Sequence, residues 1–77
     1  MGKLKNIPLK TFRDYLVFCG LKLIRTRGGH EIWSGKNLRR PVVLQTHVDP
    51  VPEFIIKNNL RTIGKKEEHL LKFLENY

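Results

Sequence analysis

A chain of 77 residues, 40% hydrophobic and 29% charged, has the composition of one small globular domain rather than of a disordered, collagenous or membrane-embedded protein. Its one cysteine, Cys19, excludes an internal disulfide and a thiolate zinc site, and no stretch approaches the roughly 20 apolar residues of a membrane helix. The net charge of +8 is uneven, because residues 1–40 hold ten of the 15 Lys and Arg against Asp14 and Glu31 alone, while residues 41–77 balance five bases with five acids; such asymmetry is expected of a surface that meets a polyanion, most often nucleic acid.

The start Met1-Gly2-Lys3-Leu4-Lys5 lacks the apolar stretch of a signal peptide, and Asn6 stands where a myristoylation signal has Ser or Thr. The expected location is the cytoplasm, with residues 1–77 forming one domain. A first helix is predicted from Pro8 to Cys19, with Pro8 at its first position and Leu9, Phe12, Leu16 and Cys19 on one face. Gly20 is its C-terminal cap, and Cys19 reads as a small core hydrophobe rather than a reactive thiolate.

Three β-type runs follow, Leu21–Arg27, His30–Ser34 and Arg39–Thr46. Gly28-Gly29 joins the first two as a tight hairpin and Ser34-Gly35-Lys36-Asn37 joins the next two, which predicts an antiparallel meander. Pro41 confines the third run to an edge or to the start of its strand, and the alternation of Val42 and Leu44 with Val43 and Gln45 predicts one covered face. Trp33 reads as a core aromatic.

Pro50 and Pro52 keep the next segment irregular. A second helix is predicted from near Pro52 to Gly64, with Ile56, Leu60 and Ile63 on its apolar side, and a third from Lys66 to Asn76, carrying Leu70, Leu71, Phe73 and Leu74. His69 reads as a surface residue, and Lys65 and Lys66, beside Glu67 and Glu68, are expected to add little to a binding surface. The predicted fold class is α+β: helix, three-stranded antiparallel sheet, helix, helix, with the helices on one face.

No Ser-His-Asp spacing, phosphate-binding Gly-rich loop or metal-ligand cluster is legible, and no cofactor is expected. The chemistry centres on His30, in Arg25-Thr26-Arg27-Gly28-Gly29-His30-Glu31-Ile32-Trp33. Two glycines let a phosphate or ribose approach closely, an imidazole exchanges protons near neutral pH, and neighbouring bases offset charge on a scissile phosphate. That combination suits RNA cleavage by the substrate's own 2′-hydroxyl, with Arg25, Arg27, Lys36, Arg39 and Arg40 holding the strand. A glycine-histidine pair at a hairpin is also an ordinary turn followed by a polar strand residue. His47, after the third run, is the second histidine placed near this end of the sheet.

The block Gly20-Leu21, Arg27-Gly28-Gly29-His30-Glu31-Ile32-Trp33, Val42-Val43-Leu44, His47 and Pro52 through Leu60-Arg61-Thr62-Ile63-Gly64 resembles the HicA (YcfA-like) family of bacterial toxins. The resemblance spans nearly the whole chain. It implies a double-stranded-RNA-binding-domain-like fold, mRNA interferase activity without a metal, neutralisation by a HicB-type antitoxin, and a catalytic histidine that falls on His30. Gly29, which admits a close approach, and His47, which ends the third run beside the start of the second, are placed at the expected RNA-binding surface, although His47 also reads as a strand-end polar residue or helix-cap partner. This chain departs from the family pattern at Leu21, where an aromatic is usual, at Gly29, where Ser is common, and at Pro50, in a segment usually rich in Gly and Lys.

Two readings share the basic sheet, an endoribonuclease that uses His30 on mRNA or other single-stranded RNA, and a non-catalytic RNA-binding module. A DNA-binding regulator has less to stand on, since the second helix offers only Lys57, Asn58, Asn59 and Arg61 as a recognition surface.

Overall fold

The computed structural model describes residues 4–77; Met1, Gly2 and Lys3, and the readings placed on them, lie outside the described residues. Helix α1 (Leu9–Phe18) is followed by strands β1 (Lys22–Arg27), β2 (His30–Ser34) and β3 (Val42–Gln45) and by helices α2 (Glu53–Ile63) and α3 (Glu67–Glu75). The strands form one antiparallel sheet in the order β1-β2-β3, so the α+β meander read from the sequence is the observed architecture. No helix among the described residues is long and apolar enough to cross a membrane.

The ends of the elements differ from their predicted places for local reasons. Pro8 is the N-cap of α1 rather than its first residue, because its ψ of 149° is extended. Its ring offers the helix no capping oxygen; Asp49, 40 residues later, supplies one by accepting the Leu9 N–H at 2.9 Å. Leu21 closes the C-terminal end of α1 by donating its N–H to the Leu16 carbonyl at 3.0 Å, so β1 starts at Lys22. The third strand is only Val42–Gln45, since Arg39 and Arg40 bend and Pro41 has no N–H for the ladder. Pro52 and Lys66 are N-caps, and Gly64 ends α2 in the left-handed region at φ 72°.

Alternation along β2 and β3 decides what is buried. Glu31, Trp33, Val42 and Leu44 point to the helices and are buried, whereas Val43 and Gln45 face away. Trp33 is therefore a core aromatic. The helices cover only these two strands: every residue of β1 is exposed, so the covered face is narrower than the predicted one.

Helix α1 contributes Leu9, Phe12, Tyr15 and Leu16 to the core. Tyr15 is fully buried where the predicted stripe omitted it, and Cys19 is only half-buried against the same cluster. Burial pushes the Cys19 thiol above its ordinary value, which keeps it protonated and a poor nucleophile. His69 is half-buried rather than a fully exposed surface residue. Its Nδ1 lies 2.8 Å from the Tyr15 hydroxyl and its ring stands edge-on to the Tyr15 ring, because α3 crosses the end of α1 and turns that side inward.

Candidate nucleic-acid interface

The β1–β2 hairpin turns at Gly28 and Gly29, whose φ values of 53° and 85° are both in the region that a two-residue primed turn requires. This turn sets Arg27 directly opposite His30, and β3 sets Gln45 opposite His30 on its other side. Residues directly opposite in adjacent strands share a face, so Arg27, His30 and Gln45 project together from the side of the sheet that carries no helix.

Arg25 joins them because β1 is irregular. The register passes from Leu23 opposite Trp33 to Arg25 opposite Ile32, which leaves Ile24 as the extra residue of a bulge. In a regular strand Arg25 would share the face of Leu23, towards the helices. The bulge instead places Lys22, Arg25 and Arg27 on the open face with His30.

The tip of the hairpin is held by the exit of β3. The Gly29 carbonyl accepts hydrogen bonds from the Thr46 N–H at 2.8 Å and the Thr46 hydroxyl at 3.2 Å. A Cβ built on Gly29 would lie 3.0 Å from His47 Cε1, so the His47 ring packs against the glycine itself. His47 thus lies in the turn beyond β3, past the end of the third strand as the sequence placed it, and both histidines flank Gly29. His30 also borders an apolar hollow of about 260 Å³ formed with Val43, Gln45, Val48, Pro52 and Ile55.

The structure does not bring all the predicted binding residues together. Arg25, Arg27, Gly29, His30 and His47 gather at one end of β2. Lys36, Arg39 and Arg40 lie in the β2–β3 connection at its other end, where they line a cleft of about 730 Å³. Arg61 and Lys65 line the same cleft, because α2 ends against this loop. Sequence reasoning missed both of them as part of this cleft: in the sequence Arg61 stands only as a DNA-recognition residue on the second helix, and Lys65 as a charge offset by Glu67 and Glu68. Their position one turn before and one residue after the Gly64 cap is the sequence signal that they share a helix end.

Ion pairing among the described residues leaves these clusters free. The pairs formed are Lys10–Asp14, Lys57–Glu53 and Arg13–Glu31. The last is two-pronged, with Arg13 Nε donating to Glu31 Oε1 at 3.1 Å and Nη2 to Oε2 at 2.6 Å, while Trp33 Nε1 donates to Oε1 at 3.1 Å. Arg13 is therefore a structural base, not part of the free positive surface. Among the described residues no three His, Cys, Asp or Glu side chains gather where they would hold a metal ion.

Comparison with protein-family models, with curated proteins and with solved structures gives no match for this chain.

Proposed function

We propose that this protein is an endoribonuclease toxin of the HicA type, a cytoplasmic mRNA interferase that cleaves single-stranded RNA without a metal ion. The observation that carries the reading is the pairing of His30 with Arg27 across the hairpin, exposed on the open face beside Arg25 and free of any carboxylate within ion-pair distance among the described residues. A phosphate seated on the two arginines sits beside an imidazole.

In this reaction neutral His30 takes the proton of the ribose 2′-hydroxyl, and that oxygen attacks the adjacent phosphorus. The bond from phosphorus to the 5′ oxygen breaks, leaving a 2′,3′-cyclic phosphate. The departing 5′ oxygen takes a proton from the imidazolium or from water. Arg25 and Arg27 offset the charge that builds on the phosphoryl oxygens. The double-stranded-RNA-binding-domain-like character implied by the resemblance agrees with the observed helix, meander and helix order.

A nuclease with so open a site needs an inhibitor in its own cell, and a HicB-type antitoxin with an acidic contact surface fits the charge around His30. The decisive experiment is induction of the wild-type and His30→Ala chains side by side, following growth and mRNA integrity, with cleavage of purified RNA assayed in EDTA. Wild-type cleavage that persists in EDTA and disappears in a folded His30→Ala chain supports the reading. Cleavage by His30→Ala at the wild-type rate removes His30 from the chemistry, and cleavage by neither chain leaves an RNA-binding module.

A further inference from the structure

The hollow beside His30 and the basic cleft at the other end of the sheet are not separate. A third depression of about 490 Å³, between the free edge of β3 and α2, shares Val43 and Ile55 with the hollow and Arg40, Arg61 and Thr62 with the cleft. Shared walls make the three one groove, which begins at His30, follows the β3 edge and ends among Lys36, Arg39 and Lys65.

Its chemistry changes along its length. Near His30 the walls are mainly apolar, in the middle Asn58 and Asn59 line it, and at the far end five cations stand without a carboxylate in ion-pair distance among the described residues. Asn59 is 8% exposed, and its Nδ2 has no hydrogen-bond partner among the described residues, so the wall holds a donor that the protein leaves unpaired. No Phe, Tyr or Trp side chain lines any of the three sections, and the one aromatic ring among them, His30, stands at the start of the groove.

We propose that this groove is the path of a single RNA strand, with a base in the hollow beside His30 and the phosphates further along the strand held by Arg40, Arg61 and Lys65. The inference rests on the reading of His30 as the site of RNA chemistry and extends it to the path the strand takes across the protein and the residues that hold it. Packed elements are spaced by about 10 Å, so a groove between one strand edge and one helix fits a single backbone. Duplex RNA is instead recognised by shape across its grooves, on a surface that meets a rod. Cations without stacking aromatics track the backbone and give little sequence preference along this stretch.

The test measures binding alone, in a His30→Ala background, with an unstructured RNA of about 12 nucleotides, a length within the roughly 4–16 nucleotides that single-strand binding folds occupy. Replacing Arg61 and Lys65 together with Gln should weaken binding about tenfold at low salt and lower the slope of log affinity against log salt by about 1.4. Arg61→Lys with Lys65→Arg should restore the slope, which separates missing charge from failure to fold. Lys57→Gln, at a residue already paired with Glu53, should change binding less than about twofold. The proposal is overturned if the Gln variant binds RNA as the parent does, or if the same RNA annealed to its complement binds as tightly as the single strand. Equal binding of polyglutamate would likewise overturn it, by assigning the cleft to an acidic protein. A groove that binds RNA in a chain whose wild-type form never cleaves leaves this inference standing while the catalytic reading falls.

Discussion

Gly29 and His47 are in contact: the imidazole occupies the space in which any side chain at position 29 would begin, with its Cε1 3.0 Å and its Nδ1 3.2 Å from that point. Glycine here allows both the positive φ of the hairpin turn and the seating of His47. A serine at this position would meet the ring.

Gly29→Ser should therefore lower stability by about 1–2 kcal/mol, the scale of a left-handed backbone penalty, and should displace His47. Gly28, which also has positive φ but has nothing within 4 Å of a built Cβ, should tolerate Asn with little loss. Urea unfolding of both variants, with the His47 ring followed by NMR, checks the contrast; equal losses would mean that backbone conformation alone matters and that the packing of His47 does not.

Arg13→Ala leaves the Glu31 carboxylate, whose side chain is 8% exposed, with Trp33 as its remaining side-chain partner. Loss of one member of a buried pair costs about 3–5 kcal/mol, and because Arg13 is 35% exposed, roughly 2–4 kcal/mol is expected. Replacing Arg13 and Glu31 together with Met and Gln should recover part of that loss, since no buried charge is then stranded. A single-variant loss below about 1 kcal/mol would show that α1 is not tied to the sheet through this pair.

Burial holds the Tyr15 hydroxyl well above its ordinary 10.0 and the Cys19 thiol above its ordinary 9.0. The folded chain keeps both protons at a pH where the unfolded chain releases them. The stability tied to them is complete below pH 9 and declines as pH rises past 9 and 10. Tyr15→Phe should cost about 1 kcal/mol at neutral pH by removing the hydrogen bond to His69, and should also make the alkaline decline shallower. Urea midpoints measured across this range test both effects, and an unchanged alkaline decline in the variant would rule Tyr15 out as its main source.

Asp49→Ala removes the side-chain acceptor for the first N–H of α1 and should cost about 1 kcal/mol, most of which Asp49→Asn should return. Hydrogen exchange at Leu9 reports the site directly. No change there on Asp49→Ala would show that the helix start does not depend on the loop after β3.

Replacing Arg25 and Arg27 with Gln should lower the salt slope of RNA binding by about 0.7 for each phosphate that is no longer neutralised, and should weaken affinity to a similar extent across RNA sequences. The same change at Arg13, which Glu31 already neutralises, should leave the slope unaltered even where it reduces stability. A drop in slope at Arg13 equal to that at Arg25 and Arg27 would show that the open face of the sheet is not the binding surface.

Much of the architecture was legible in residue order because it rests on local chemistry. Gly28-Gly29 permits one kind of turn, the period-two pattern of Val42 to Gln45 defines a covered face, and Pro8, Pro52 and Gly64 bound helices by what their backbones cannot or can adopt. The gathering of basic residues around His30 follows from the same hairpin. Tertiary structure alone decided which charges are free and which faces they share. Arg13 is indistinguishable in sequence from the other bases, yet a carboxylate 18 residues away neutralises it. Arg25 reaches the face of His30 only through the bulge at Ile24, which depends on how β1 registers against β2. Arg61 and Lys65 join Lys36, Arg39 and Arg40 because α2 ends where the β2–β3 loop passes. His69 is drawn inward by the crossing of α3 over α1. Each of these depends on packing between residues distant in the chain, whereas helix period, strand alternation and turn conformation are set by neighbours along it.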